Sequence, residues 1–585
     1  MNPSRLSITF LALVLAVELT CGCGRQFSST QPISSSNAIS SSNAVPKGVI
    51  DDWSTHHLKF SNPGTEADAI RNGTHDKWLR IAHNPRFQMQ QLQRSAAWQN
   101  RFPPISSPPF FRHPGTSFKP AMDRDWAYPM APAGSGTSGA FPAKYSFDIN
   151  ATPSCSDFVV FPSRYSANLM GLNNLYEGLC PSSATVGSPF APTVRFAYFV
   201  GSGDILTSPV LSEDGTKVAV VTSDYATGIG FYVVTLGTTG NNGTSGLFSV
   251  QPCTVNGVQS CTTNNAVEIG FTISTAQFNN NPGSPFVDYS GDIAYVGDGA
   301  GVLHKITGVF RGTPAETTTG GWPLTISKSY FLYSPVYDSV SQHVFVTSWD
   351  GNLYCIDVSS PTPALCSPTA SVSIATNAAV FDGPTVDSAA GTVFAEGATH
   401  DTTASTLTQA TTSLAGVVQA NMGYGGILNS GDFDNTYYLG DYSSGYLYFC
   451  GSTGVDGPTL FRIGFNNSGT MNSANDGNSY QLASTYYCTP LTEAYNPIQG
   501  KDHLFLGVQA GGTPPGCDGG ACVMSFDLGS SFPSVPAATL PLGNTTGGIS
   551  GIVIDNVSNQ AGASQIYFSV GSSGDAIQAT QNGLN

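Results

Sequence analysis

Twelve cysteines, nine histidines and a few closely spaced acids are the side chains of this 585-residue sequence with chemistry to offer. Cys21 and Cys23 follow an apolar run at the start. The other ten, Cys155, Cys180, Cys253, Cys261, Cys355, Cys366, Cys450, Cys488, Cys517 and Cys522, are spread along the rest of the chain. An even number without a C-x-x-C or a zinc-spaced Cys/His cluster suits disulfides, with buried free thiols as the alternative. Spacing does not fix the pairing order. Nearest neighbours are the economical choice: Cys155 with Cys180, Cys253 with Cys261, Cys355 with Cys366, Cys450 with Cys488, and Cys517 with Cys522 across a tight Gly-rich turn. The adjacent rings of His56 and His57 point apart on either a helix or a strand, which argues against joint metal ligation. Asp432-Phe433-Asp434-Asn435 could hold Ca2+ through its oxygens but lacks the Gly and distant Glu of an EF-hand loop, so it reads as a solvated turn. Asp298 and Asp350 stand in Asp-Gly turns, where the carboxylate serves the backbone. No nucleophile elbow, zinc-protease helix, P-loop or dinucleotide fingerprint occurs. No catalytic, cofactor-binding or metal residue is assigned.

Arg5, the apolar run Leu6 to Val17 and then Leu19-Thr20-Cys21-Gly22-Cys23-Gly24 have the layout of a signal peptide: charged start, short apolar core, small residues. The run is too short for a membrane span, and no later segment offers about 18 consecutive apolar residues. Small residues before a Cys that Gly follows resemble a bacterial lipoprotein processing site. Cys23, preceded by Gly22, is then the lipidated residue, since Glu18 interrupts the stretch before Cys21. Residues 1–23 are expected to be this signal, and 24–48, repeating Ser, Asn and Ala, a flexible tether. Such a protein works outside the cytoplasm, touching a bacterial membrane only through its lipid.

Charged residues are 10% of the chain, too few for helical bundles, while 24 Tyr, 33 Phe and 40% hydrophobic residues exclude wholesale disorder. The formal charge of −16 argues against nucleic acid as a partner. That charge is uneven: residues 1–150 hold 14 of 22 Lys+Arg and 9 of 38 Asp+Glu, a balance of +5, which leaves 8 and 29, or −21, for residues 151–585. Residues 49–143 also carry Trp53, Trp78, Trp98 and Trp126. Here Thr65 precedes a capped helix start, Asn84 and Pro85 form an N-cap with Pro at N1, and Lys77–Ala82 lies on a further helix. Beyond Arg101 the chain is Pro-rich and extended. The spacing predicts a partly helical basic arm packed across an acidic neighbour, with binding of an anionic polymer as the alternative.

From about residue 145 a pair of apolar strands recurs. Asp157–Phe161 pairs with Ala167–Leu172, Lys217–Thr222 with Gly230–Leu236, Asp292–Val296 with Gly301–Ile306, and His343–Thr347 with Asn352–Asp357. Thr392–Ala395 follows, its partner poorly defined after Asp401. Then come Tyr446–Phe449 with Thr459–Ile463, His503–Leu506 with Cys522–Phe526, and Gln565–Val570 with Asp575–Gln578. Ser208-Pro209, Ser284-Pro285, Ser334-Pro335 and Gly383-Pro384 precede four of these units, and Asp288, Asp338 and Asp387 stand three residues after the last three prolines. Those prolines are 76, 50 and 49 residues apart, a blade-like period with one insertion. The reading is all-β: a single eight-bladed propeller over 144–585, with seven blades as the alternative. Lys144–Ile149 is the expected outermost strand of the last blade, closing the ring.

Ser-Pro-Val-Tyr-Asp at 334–338 and His-Val-Phe-Val-Thr-Ser-Trp-Asp-Gly-Asn-Leu-Tyr-Cys-Ile-Asp at 343–357 resemble the blade repeat of the pyrroloquinoline-quinone-like propellers, the quinoprotein alcohol dehydrogenase-like superfamily. Enzymes of that family hold the quinone between a Trp platform and a disulfide of adjacent cysteines, with a calcium ion and an aspartate base. This sequence has no Cys-Cys pair and only Trp322 and Trp349 in its repeats, so neither that cofactor nor its site carries over. The family also includes non-enzymatic lipoproteins, notably the propeller subunit of the outer-membrane β-barrel assembly machine. The resemblance implies a binding or scaffolding protein of the cell envelope that takes a protein or glycan ligand at the propeller mouth. Its alternative is an extracytoplasmic enzyme, a quinoprotein-like oxidoreductase or a polysaccharide-cleaving propeller, with catalytic groups on scattered loops.

Overall fold

Short apolar strands that are buried on both faces need neighbours on both faces, and a ring of sheets supplies them. Val218–Ser223 is buried along its whole length, as is Phe158–Pro162. The computed structural model describes residues 48–94, 122–130, 139–147 and, apart from short intervals, 154–581. Cys23, the apolar run before it and the tether to residue 47 lie outside the described residues, as do Cys253 and the side chain of Cys261.

The chain forms eight antiparallel blades, an eight-bladed propeller. All seven strand pairs read from the repeats are the middle strands of blades, and the missing partner of the remaining unit's single strand, Thr392–Thr399 in blade 5, is Ser405–Thr411. From blade 1 to blade 8 the innermost strands are Ala143–Phe147, Val210–Leu211, Phe286–Asp288, Val336–Asp338, Thr385–Asp387, Asp432–Phe433, Thr492–Asn496 and Val553–Asp555. The insertion in the second unit strengthens two edges: Gln259–Cys261 extends blade 2, and Gln251–Pro252 adds a parallel strand to Thr193–Phe199 of blade 1.

The ring closes by mixing the two ends of the chain, but with a different strand from the one expected. Met122–Pro129 pairs antiparallel with Asp575–Gln581 as the outermost strand of blade 8, while Ala143–Phe147 pairs with Phe158–Val160 as the innermost strand of blade 1. Burial explains the exchange. Lys144 is 1% exposed and its ammonium lies 2.9 Å from the Asp555 carboxylate, a position beside the axial channel. In Met122–Pro129, Asp123 and Arg124 are exposed while Trp126 is buried against Tyr567, the half-solvated pattern of an outer strand.

The Ser-Pro signature has a structural cause. At the start of the inner strands the Ser284 hydroxyl accepts from the backbone N–H of Ser208 at 2.9 Å, and the Ser334 hydroxyl from that of Ser284 at 2.8 Å. The Ser208 hydroxyl in turn accepts from the Phe141 N–H at 2.9 Å, so each serine ties its blade to the one before it. The aspartates three residues after the prolines cap the next turn: Asp288 accepts from Ser290 and Gly291, Asp338 from Val340 and Ser341, Asp387 from Ala389 and Ala390. Among the described residues four disulfides staple the blades: Cys155–Cys180, Cys355–Cys366, Cys450–Cys488 and Cys517–Cys522.

Candidate functional site

The axial channel is where a propeller gathers loops from every blade, and here the chain fills it with its own N-terminal segment. Gly48–Asp51 runs antiparallel along the inner strand of blade 1, helix α1 (Trp53–His57) turns inside the channel, and Leu58–Lys59 runs parallel to the inner strand of blade 5. Both strands borrow inner edges that would otherwise lack partners. Asp52 caps α1 with a capping box, its carboxylate accepting from the Ser54 N–H. Gly383 stands where the other signatures have Ser, because a side chain there would meet the Trp53 ring at 2.9 Å and the Ser334 carbonyl at 2.7 Å. Helices α2 (Glu66–Arg71), α3 (His75–Ala82) and α4 (Pro85–Gln93) then lie over the turns that follow the inner strands, with Lys77 donating to the Ala389 carbonyl and Arg80 to that of Val340. Thr65 and Asn84 cap α2 and α4, and Pro85 opens α4.

Basic and aromatic groups of this plug are met by acids, hydroxyls and rings of the plug itself and of the wall. His56 Nε2 lies 3.1 Å from Asp51 Oδ1, and the His56 ring stacks on Phe141. His57 stacks on Trp53, its Nδ1 donates to the Pro384 carbonyl at 3.1 Å, and its Nε2 is 3.4 Å from Asp382. Burial holds the His57 imidazole below the ordinary histidine range, and Asp382 offsets only part of that. The two rings serve different partners, as adjacent histidines must. Lys59 Nζ lies 3.0 Å from both oxygens of Asp432. Arg86 donates to the Ser54 hydroxyl and stacks over Phe286 and Tyr289 of blade 3. Arg94 pairs with Glu493, donates to Asn435 at 2.7 Å and covers the Tyr438 ring at 3.8 Å. The Ile554 N–H donates to Asp51 at 2.6 Å, joining the plug to blade 8.

The Asp432-Phe433-Asp434-Asn435 group is not a solvated turn. Asp432 is 1% exposed and accepts from Lys59, the Tyr438 hydroxyl and the Glu493 N–H, and Asp434 caps helix α5 (Asn435–Tyr438). Burial raises Asp434 to about 6, and burial together with the Glu493 charge raises Asp502 well above the usual carboxylate range. Asp298 and Asp350 cap backbone N–H groups of their turns.

Beside the plug a small cleft of roughly 80 Å³ lies between α4, the inner strands of blades 1, 7 and 8, and Tyr438. Asp51, His56, Lys59, Arg86, Arg94 and Glu493 face it. A collection of acids, imidazole and guanidinium at the channel mouth is what the enzyme reading needs, but each of these groups except Arg86 already holds an opposite or titratable charge, and Arg86 is bound through Ser54 and two aromatic rings. Sequence reading missed Lys59, Arg86, Arg94, Asp382, Asp432 and Glu493 as a set. Their one signal is the opposite charge of the arm and the repeats.

No family profile and no curated protein matches the chain. Solved propellers are similar to it at low level: BamB from Moraxella catarrhalis at 10% identity over 79% of this chain and 98% of that one (TM-score 0.41), and Sqt1 from Saccharomyces cerevisiae at 9% over 79% and 100% (TM-score 0.47). The propeller of Dos1 is similar at 11% identity over 78% of this chain and 95% of that one, with a TM-score of 0.46. Likeness at this level adds nothing to what the sheet order shows.

Proposed function

We propose that this chain is an extracytoplasmic propeller, anchored by a lipid on Cys23, that binds a protein partner and does not catalyse a reaction. The observation that carries the reading is the self-occupied channel: the groups able to do chemistry are paired with one another, His56 with Asp51 inside the plug and His57, Lys59 and Arg94 with acids of the wall. Function then falls to an outer surface. The face covered by α2, α3 and α4 supports a protein partner better than a glycan, because it exposes Ile70 at 58% on α2 and Leu439 at 64% just after α5. The four disulfides support an oxidising compartment, and the Cys23 environment supports the anchor.

The test uses the full chain in a bacterial envelope. Cross-linked adducts of the wild type are compared with those of Ile70→Asp/Leu439→Asp and of Glu493→Gln. The binding reading expects the adduct to vanish in the first variant and persist in the second. Loss of in vivo function in Glu493→Gln with the adduct intact would move the function into the cleft and favour the enzyme. Cys23→Ser should release the protein to the soluble fraction, and retention would remove the anchor from the proposal.

A further inference from the structure

Blade 4 carries a group of side chains that neither the plug nor the cleft uses. His343 lies on its second strand, Cys355 on its third, and Cys366 directly after the short outer strand Ala364–Leu365. His343 is opposite Asp357, so Cys355, two residues from Asp357, is its diagonal neighbour on the same face of the sheet. The Cys366 N–H donates to the Cys355 carbonyl at 2.9 Å, which sets the two cysteines side by side. One ring nitrogen of His343 and the two sulfurs lie within 4.8 Å of one another, and among the described residues this is the one group of three such ligands. The other described disulfides have no such histidine beside them.

We propose that this group is a redox-gated binding site for a soft divalent metal ion, closed while Cys355 and Cys366 form their disulfide and opened by reduction. A dithiol reductant supplies two electrons and two protons to the S–S bond, becomes a disulfide itself and leaves two thiols. The metal ion then displaces both thiol protons and binds two thiolates and one imidazole nitrogen. Two sulfurs and one nitrogen are the donor set of Zn2+ with an open fourth position, which His343, half-buried, leaves accessible to water. A carbonyl can only accept, so His343 Nδ1, 2.7 Å from the Thr412 carbonyl, carries its proton and Nε2 keeps the lone pair that a metal ion would take. Cys366 is itself 7% exposed and Cys355 fully buried, so reductant reaches them from the outer edge of the blade, where Cys366 follows the 42% exposed Leu365 on a strand of two residues.

The experiment titrates Co2+ into the full mature chain before and after treatment with a water-soluble phosphine. Alkylation and peptide mapping identify which cysteines have opened. The reduced protein should bind one Co2+ per chain with a thiolate-to-cobalt charge-transfer band, and the oxidised protein should show none. His343→Gln should weaken that binding at least tenfold, roughly the loss that even an outer-shell partner causes, and Cys355→Ser/Cys366→Ser should abolish it. A Cys450→Ser/Cys488→Ser variant should keep it. The proposal is overturned if Cys355 and Cys366 resist the phosphine, if the reduced chain binds no Co2+ with that band, or if binding is the same in His343→Gln. Circular dichroism of each reduced variant separates a lost ligand from a lost fold, and His343→Gln, which leaves the disulfide intact, decides the case should the double serine variant unfold.

Discussion

Lys59 and Asp432 show how a charge-poor chain uses the charges it has. Both are buried, and the carboxylate also accepts from Tyr438 and the Glu493 N–H. Breaking a buried pair from one side strands the other charge, so Lys59→Met should lower unfolding free energy by about 3–5 kcal/mol in urea denaturation. Asn at 432 keeps one acceptor oxygen, enough for Tyr438 but not also for the Glu493 N–H on the other side, so Lys59→Met/Asp432→Asn should regain part of the loss. A double variant as weak as the sum of the singles would show that the two charges do not interact. A second group of acids is buried without a cation. Burial raises Glu268 to about 8, the Gly201 backbone offsetting it in part, and raises Glu396 to about 8 against the Gly431 N–H. A carboxyl whose folded value lies above its unfolded one contributes most at low pH, and its contribution is lost as pH rises from about 4.5 to 8. Glu268→Gln should therefore stabilise the protein at pH 8, on the order of 2 kcal/mol, and flatten the decline between pH 5 and 8 in thermal melts. An unchanged profile would mean that Glu268 is already ionised at neutral pH. Such residues were not legible beforehand: an isolated Glu in a strand looks the same whether it faces water or a Tyr ring. Asp298 and Asp350 were legible, because an Asp-Gly turn fixes the carboxylate's role locally.

At the scale of elements, what could be read was what repeats. The paired middle strands have apolar runs on both faces and a recurring Ser-Pro before them, so register and position follow from local sequence. The helices were equally open to reading, since Thr65, Asn84 and Pro85 are local start signals. The closing strand was not. Lys144–Phe147 and Met122–Pro129 both alternate, and which of them takes the rim of blade 8 is decided by Asp555 in one case and Tyr567 in the other, more than four hundred residues away. Trp126 carries the consequence. It is 2% exposed and packs on Tyr567 across the closure, so Trp126→Ala should cost about 3–5 kcal/mol. Limited proteolysis should then cut first at the junction of the two chain ends. Cleavage spread evenly over the blades would show that closure does not hold the ring together.

The whole molecule is a ring whose wall needs its plug. With the plug in place, Lys59 faces Asp432, His57 faces Asp382 and Arg94 faces Glu493. Residues 48–94 hold 6 Lys+Arg and 5 Asp+Glu, so the insert meets the acidic wall through individual pairs and not through a net charge of its own. The arm gains in return. Helices α1 to α4 have five, six, eight and nine residues, too short to persist alone in water, so a fragment of residues 49–143 should be largely unfolded by circular dichroism. Deleting residues 48–61 from the full chain tests the other half of the exchange. Asp432 would then line a wet channel without Lys59, Asp382 would lose the His57 ring, and Asp555 would keep Lys144 but lose the chain that covers it. With Asp432 stranded and the inner edges of blades 1 and 5 left without their partner strands, the deletion variant should melt well below the wild type at pH 8. A synthetic peptide of residues 45–62 should restore part of the melting temperature at pH 8 by pairing again with the inner strands of blades 1 and 5. A deletion variant that melts like the wild type would show that the propeller stands without its insert. The plug would then be a ligand carried by the chain and displaceable by another.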